Sequence, residues 1–425
     1  MKYPLSLMLA AIVALDPGTS VAQVPAAVPA PAYETPQLWP AAKFLPGAEL
    51  AGEGWEIEPT VSNDGIYNTW GVSSEVGPYQ ITGDERLFEL LVEIEATIRL
   101  QEISKGREFA RGLGDAGKAQ WDAVMGVATA PVETVKKLPE GASRFLGRIG
   151  NTVKHTVQGT LDIDTNATPA ETAREIFGVE KAKRLIAADL GVNPFSHNPA
   201  LQRALNQVAT VRALGKLTVD IGSMVVIPVT IGHVLTGTNI ASTLTKEQIA
   251  ADPKELAEAN KTRALAAGIP ASSIDALNRN VCYNPWSLTS LWNCLAAMGS
   301  VKTTVFVDMA AGASSDLDAF YFVRVAQIMA FLQSRGAGIQ ELVPLTHTVA
   351  CVQKDGSLLV PLWFDYAIWT PDAFASATEL QTLAKSRNAP SATIITTGKF
   401  SAIAADRLSA MGLRTIPSVM LPNSP

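Results

Sequence analysis

Apolar residues recur along this chain with two different periods, and each predicts its own kind of element. Between residues 55 and 82 the runs WEIEP, IYNTWGV and YQIT are short, aromatic and β-branched. Asn63-Asp64-Gly65 and Gly77-Pro78 separate them, which predicts a small N-terminal β element. From Asp84 the period lengthens. Leu87, Leu90, Leu91, Ile94 and Ile98 fall at helical spacing, so the run ERLFELLVEIEATIRLQEISKGREFARGL reads as one long amphipathic helix. Toward the C-terminus the pattern becomes strand-like again. Residues 346–353 and 358–369 flank Lys354-Asp355-Gly356-Ser357, and Asp-Gly between two such runs predicts a hairpin with a two-residue turn. Pro361 cannot donate to a ladder, so its strand is expected at a sheet edge. Residues 393–397, 401–411 and 413–416 then read as strand, helix and strand, a βαβ unit in which Gly412 stops the helix.

Helix starts in the middle of the chain share one device. Thr168-Pro169, Asn198-Pro199, Asp252-Pro253, Asn284-Pro285 and Thr370-Pro371 each set a capping side chain directly before a proline. The cap accepts a hydrogen bond from the first turn, and proline at the first helical position gives up no useful donor. Thr168 with Glu171, and Asp252 with Glu255, complete the capping-box spacing. A further helix is predicted over residues 316–334, with a wide apolar face. These readings define a fold class that is mainly α, with a C-terminal α+β portion (β-hairpin plus βαβ) and a small N-terminal β element.

Two apolar stretches bear on location. Lys2, the run LSLMLAAIVAL and the small residues Ser20-Val21-Ala22 form a secretory signal pattern with cleavage before Gln23, which predicts a periplasmic or secreted protein. The interior stretch TVDIGSMVVIPVTIGHVLTGT (218–238) has only twelve residues between Asp220 and His233, against the roughly 20 a spanning helix needs, and Gly222, Pro228 and Gly232 interrupt it. No transmembrane span is expected after signal removal. The organisation read along the chain is a signal peptide (1–22), a Pro/Ala-rich linker (23–50), a β element with an amphipathic helical region (51–165), a helical domain (166–340) and an α+β C-terminal domain (341–425).

Charge narrows the partners. The chain of 425 residues carries a net charge of −6, with 17% charged residues, which disfavours nucleic acid as a partner. Within it, residues 99–154 hold ten basic and six acidic residues, a local excess of +4. Lys136, Lys137, Arg144 and Arg148 lie there beside Phe145, Leu146 and Ile149, a composition suited to an anionic membrane surface or an envelope polymer. Oligomeric state is left open.

Candidate chemistry is sparse. Motifs for a nucleophile elbow, a zinc protease, a phosphate loop or a dinucleotide cofactor do not occur, and the four histidines are far apart, so no cofactor or metal is expected. Cys282, Cys294 and Cys351 leave one thiol over if two pair, and a helix starting after Asn284 separates Cys282 from Cys294 too far for a bridge. In the segment NPFSHNPALQ, Asn193 and Asn198 read as turn and cap residues with His197 exposed. In the hairpin, His347 and Asp365 come near each other but point to opposite faces, so a dyad would need a bulge. The leading expectation is a non-catalytic binding or envelope-associated protein. The alternative is a hydrolase whose site, including His347 or Asp365, is assembled from distant segments.

Overall fold

The computed structural model describes residues 33–47, 50–105, 169–213 and 243–421; in the helix beginning at Pro169, side chains are described from residue 178 onward. The N-terminal β pattern builds a six-stranded antiparallel sheet from β1 (Leu38–Pro40), β2 (Ala51–Gly52), β3 (Trp55–Ile57), β4 (Thr60–Asn63), β5 (Asn68–Ser74) and β6 (Tyr79–Thr82). Strand β5 is its hub, pairing with β3, β4 and β6. Alternation along β5 buries Asn68, Trp70 and Val72 on one face. Helix α1 (Asp84–Lys105) covers that face, with Leu87, Leu91 and Ile94 packed among Ile57, Val61 and Trp70. β1 lies inside the proline- and alanine-rich segment and pairs with β4 through Trp39 and Val61.

Helices α2 (Pro169–Asp189) and α3 (Pro199–Ala213) pack on the second half of α1 through Leu100, Ile186, Leu205 and Val208. Then come α4 (Lys246–Ala250), α5 (Pro253–Ala266), α6 (Ala271–Arg279), α7 (Pro285–Ala297), α8 (Thr304–Ala311) and α9 (Asp316–Ser334). The predicted caps at Asn198, Asp252, Asn284 and Thr370 act as the sequence predicts, while the capping box of Thr168 and Glu171 lies outside the described residues. Asn198 Oδ1 accepts from the N–H groups of Ala200 and Leu201, and Asn284 Oδ1 from those of Trp286 and Ser287. Asp252 and Glu255 form a capping box, and Thr370 caps α10 (Pro371–Ser386).

The C-terminal sheet is five-stranded and mixed, ordered β13-β11-β9-β8-β7. Its strands are β7 (Ile339–Pro344), β8 (Val349–Gln353), β9 (Leu358–Leu362), β11 (Ala392–Thr396) and β13 (Arg414–Ile416), with α11 (Ala402–Ala410) between the last two. Two-residue strands β10 (Tyr366–Ala367) and β12 (Lys399–Phe400) form a separate parallel pair. The helical core continues into this sheet, because Trp292, Phe306 and Met329 share one apolar cluster with Cys351, Leu359 and Ile395.

Three expectations are corrected. Among the described residues there are 11 helices (51% helical) and 18% strand in three sheets, so the fold is mixed α/β and not mainly α with a C-terminal α+β portion. Strands as short as two and three residues carry too little periodicity to be counted along the chain, yet they complete a sheet once β5 supplies the template. The hairpin turn has three residues, not two. Gln353 N–H donates to Ser357 O at 2.9 Å, Val352 faces Leu358, and Gly356 takes φ +84°. Finally, the strand holding Pro361 is central. Since Leu358 N–H points toward β11, Pro361 turns its missing donor toward β8, whose ladder pairs only Leu358 and Leu359.

Candidate functional site

The most concentrated buried polar chemistry among the described residues lies where the N-terminal sheet meets the C-terminal part of the chain. After β9 the backbone leaves its sheet and docks along residues 65–68. Asp365 and Tyr366 N–H both donate to Ile66 O, and Ile368 N–H donates to Gly65 O at 2.9 Å. Trp363 closes the contact by packing against Tyr67 (5.2 Å, tilted) and edge-on against Phe320 (4.9 Å).

Two carboxyls occupy this joint. Asp365 is buried, and each of its oxygens accepts a backbone N–H: Oδ1 from Asp84 at 2.9 Å and Oδ2 from Asn68 at 2.8 Å. Asp84 Oδ1 accepts from Asn68 Nδ2 at 3.0 Å and from Trp70 Nε1 at 2.9 Å. Burial pushes the Asp84 carboxyl up to about 6 against the pull of these donors. Asp365 is raised well above the usual carboxylate range, by burial first and by the neighbouring Asp84 second. Burial and mutual repulsion of the two carboxyls favour a state in which one of them keeps its proton.

From Asp84 an acidic row runs along α1. Glu85, Glu89 and Glu93 are spaced four apart and so share one side of the helix. Glu85 pairs at 2.6 Å with Arg324 of α9, whose side chain is only 2% exposed. Arg324 also donates to Gln327 Oε1 at 2.7 Å. Burial raises Glu89 to about 7 despite the attraction of Arg324 and Arg86. It raises Glu93 to about 7 as well, although Asn198 Nδ2 donates to its carboxylate at 3.3 Å. At the end of the row His197 meets Asp316 at 2.7 Å in solvent, a contact that raises the imidazole and lowers the carboxyl.

The structure does not bring the two hairpin candidates together. His347 is exposed between β7 and β8, whereas Asp365 lies inside the joint with both oxygens engaged. The one-residue change in hairpin register removes the alignment that set His347 near Asp365. Lys136, Lys137, Arg144 and Arg148 lie outside the described residues, as do His155, His233 and residues 218–238. Cys282, Cys294 and Cys351 are all free, and burial raises each thiol. Among the described residues no helix is long and apolar enough to cross a membrane, and no group of three or more His, Cys, Asp or Glu is arranged to hold a metal ion.

Reading along the chain missed Glu85, Glu89, Glu93 and Arg324. A signal was present: like charges four apart repel on an exposed helix face, so three in a row ask for a compensating environment. Comparison with protein-family models, curated proteins and solved structures finds no match to this chain.

Proposed function

We propose that this is an exported, non-catalytic binding protein that associates with an anionic surface of the cell envelope. The observation that carries the non-catalytic part is the state of Asp365. A carboxyl with both oxygens bonded to backbone N–H groups has no oxygen directed at a substrate, and its geometry ties chain segments together. Support for export is the signal pattern at residues 1–22, and support for the anionic partner is the +4 excess over residues 99–154.

Cell fractionation tests it. The protein sediments with membranes at low salt and is released at high salt, because screening weakens surface electrostatics. Charge reversal at Lys136, Lys137, Arg144 and Arg148 together releases it at low salt. A protein that is freely soluble at low salt, or a reversed variant that stays bound, overturns the proposal.

A further inference from the structure

Beside the joint, three aromatic rings surround one ammonium group. Trp39 lies on β1, Phe44 follows the short turn Ala41–Lys43, and Tyr366 lies on β10, so the rings come from both sides of the joint. Tyr366 meets Phe44 at 5.5 Å and 71°, and Trp39 at 6.5 Å and 76°. Rings this steeply inclined form walls rather than a stack. Between them, Lys43 Nζ lies 2.9 Å from the Trp39 ring centre, 4.3 Å from that of Tyr366 and 5.5 Å from that of Phe44. Aromatic faces carry negative potential and attract cations held this close. Glu34 adds a carboxylate, fixed by the N–H of Trp369 at 2.7 Å and by the Ser401 hydroxyl, whose field reaches both Lys43 and Tyr366.

Lys43 is a poor occupant of such a box. Its three N–H donors have no hydrogen-bond or ion-pair partner among the described residues, so on the side turned to the rings the ammonium gives up some hydration without replacing it. Partial burial accordingly lowers its pKa. A quaternary ammonium has no N–H to satisfy and is only weakly hydrated, so the same walls suit it better. The Lys43 side chain is exposed and can swing out without disturbing a core.

We propose that Trp39, Phe44 and Tyr366, with Glu34 on the rim, form a binding cage for a quaternary ammonium group, and that Lys43 fills this cage until the ligand displaces it. The chemistry is that of a tetraalkylammonium head, carried by a free solute or by a choline-type lipid headgroup. Because β1 and β10 each supply a wall, an occupied cage clamps the N-terminal sheet to the C-terminal part of the chain.

The test uses the full chain titrated with tetramethylammonium chloride, against sodium chloride at equal ionic strength, and followed by tryptophan fluorescence. Lys43→Ala binds at least about tenfold more tightly than the wild type because the competing ammonium is gone. Adding Trp39→Leu to that variant abolishes saturable binding. In the wild type, the rate of Lys43 acetylation by acetic anhydride, read by mass spectrometry, changes as tetramethylammonium saturates, which reports displacement without any substitution. A second arm adds phosphatidylcholine vesicles: co-sedimentation that tetramethylammonium reverses assigns the cage to a lipid headgroup, and saturation by the ion with no vesicle binding assigns it to a free solute. No saturable response in Lys43→Ala, or Lys43 acetylation unchanged by the ion, overturns the proposal.

Discussion

At the scale of single residues, the joint depends on backbone donors that only particular side chains can satisfy. Asp365→Ala leaves the N–H groups of Asn68 and Asp84 without partners inside protein, and each such loss costs about 1–3 kcal/mol. The variant is expected to lose about 3 kcal/mol, seen as a lower urea midpoint at unchanged slope. A midpoint equal to wild type would remove the structural role assigned to Asp365. Gly398 is a second such residue. A Cβ there would stand 2.1 Å from Phe364 O and 2.8 Å from Asp365 O, both backbone atoms that cannot step aside. Gly398→Ala should therefore cost about 3 kcal/mol or more, whereas Gly412→Ala meets no neighbour and suffers only the strain of its φ of +76°. Neither Asp365 as a tie nor Gly398 as a point of close approach is legible along the chain, since each is defined by atoms far from it in sequence.

Helix α1 is the element on which charge and packing meet. Its apolar positions were readable, and Leu87, Leu91 and Ile94 are buried as their spacing predicts. Its acidic row was not, because Arg324 and Asn198 lie more than a hundred residues away. Asp84 at about 6, and Glu89 and Glu93 at about 7, all hold protons more tightly in the folded protein than unfolded carboxyls near 4. Their stabilisation is complete below that unfolded value and is lost as pH rises through 6 and 7. His197, raised by its hydrogen bond to Asp316, acts in the same direction. The melting temperature should consequently be about 5 °C or more higher at pH 5 than at pH 8. Glu89→Gln removes one titrating charge and should raise stability at pH 8 while leaving pH 5 almost unchanged. A flat profile from pH 5 to pH 8 would show that these carboxyls are ionised and compensated.

For the whole molecule, one apolar cluster runs from the helices α6–α9 into the C-terminal sheet, and a polar joint links that body to the N-terminal sheet. An apolar continuum resists opening, whereas a joint made of hydrogen bonds and carboxyls weakens with pH. The two halves of the contact should thus separate in hydrogen exchange, with amides around residues 65–68 and 363–368 losing protection between pH 5 and pH 8 before those of β9 and β11. Equal protection at both pH values would place the joint within the main cooperative unit. Sequence alone determined what depends on neighbours a few residues apart: the Xaa-Pro helix starts, the bounds of α9, the parallel β11–α11–β13 unit and the position of the Asp-Gly turn. Local hydrogen bonds and short-period packing dictate these. The tertiary structure alone decided the strand order, the three-residue length of the turn, the sheet membership of two- and three-residue strands, and the meeting of Asp84 with Asp365 across 281 positions. Those outcomes rest on contacts between distant segments, whose energies become available only after the chain has brought the segments together.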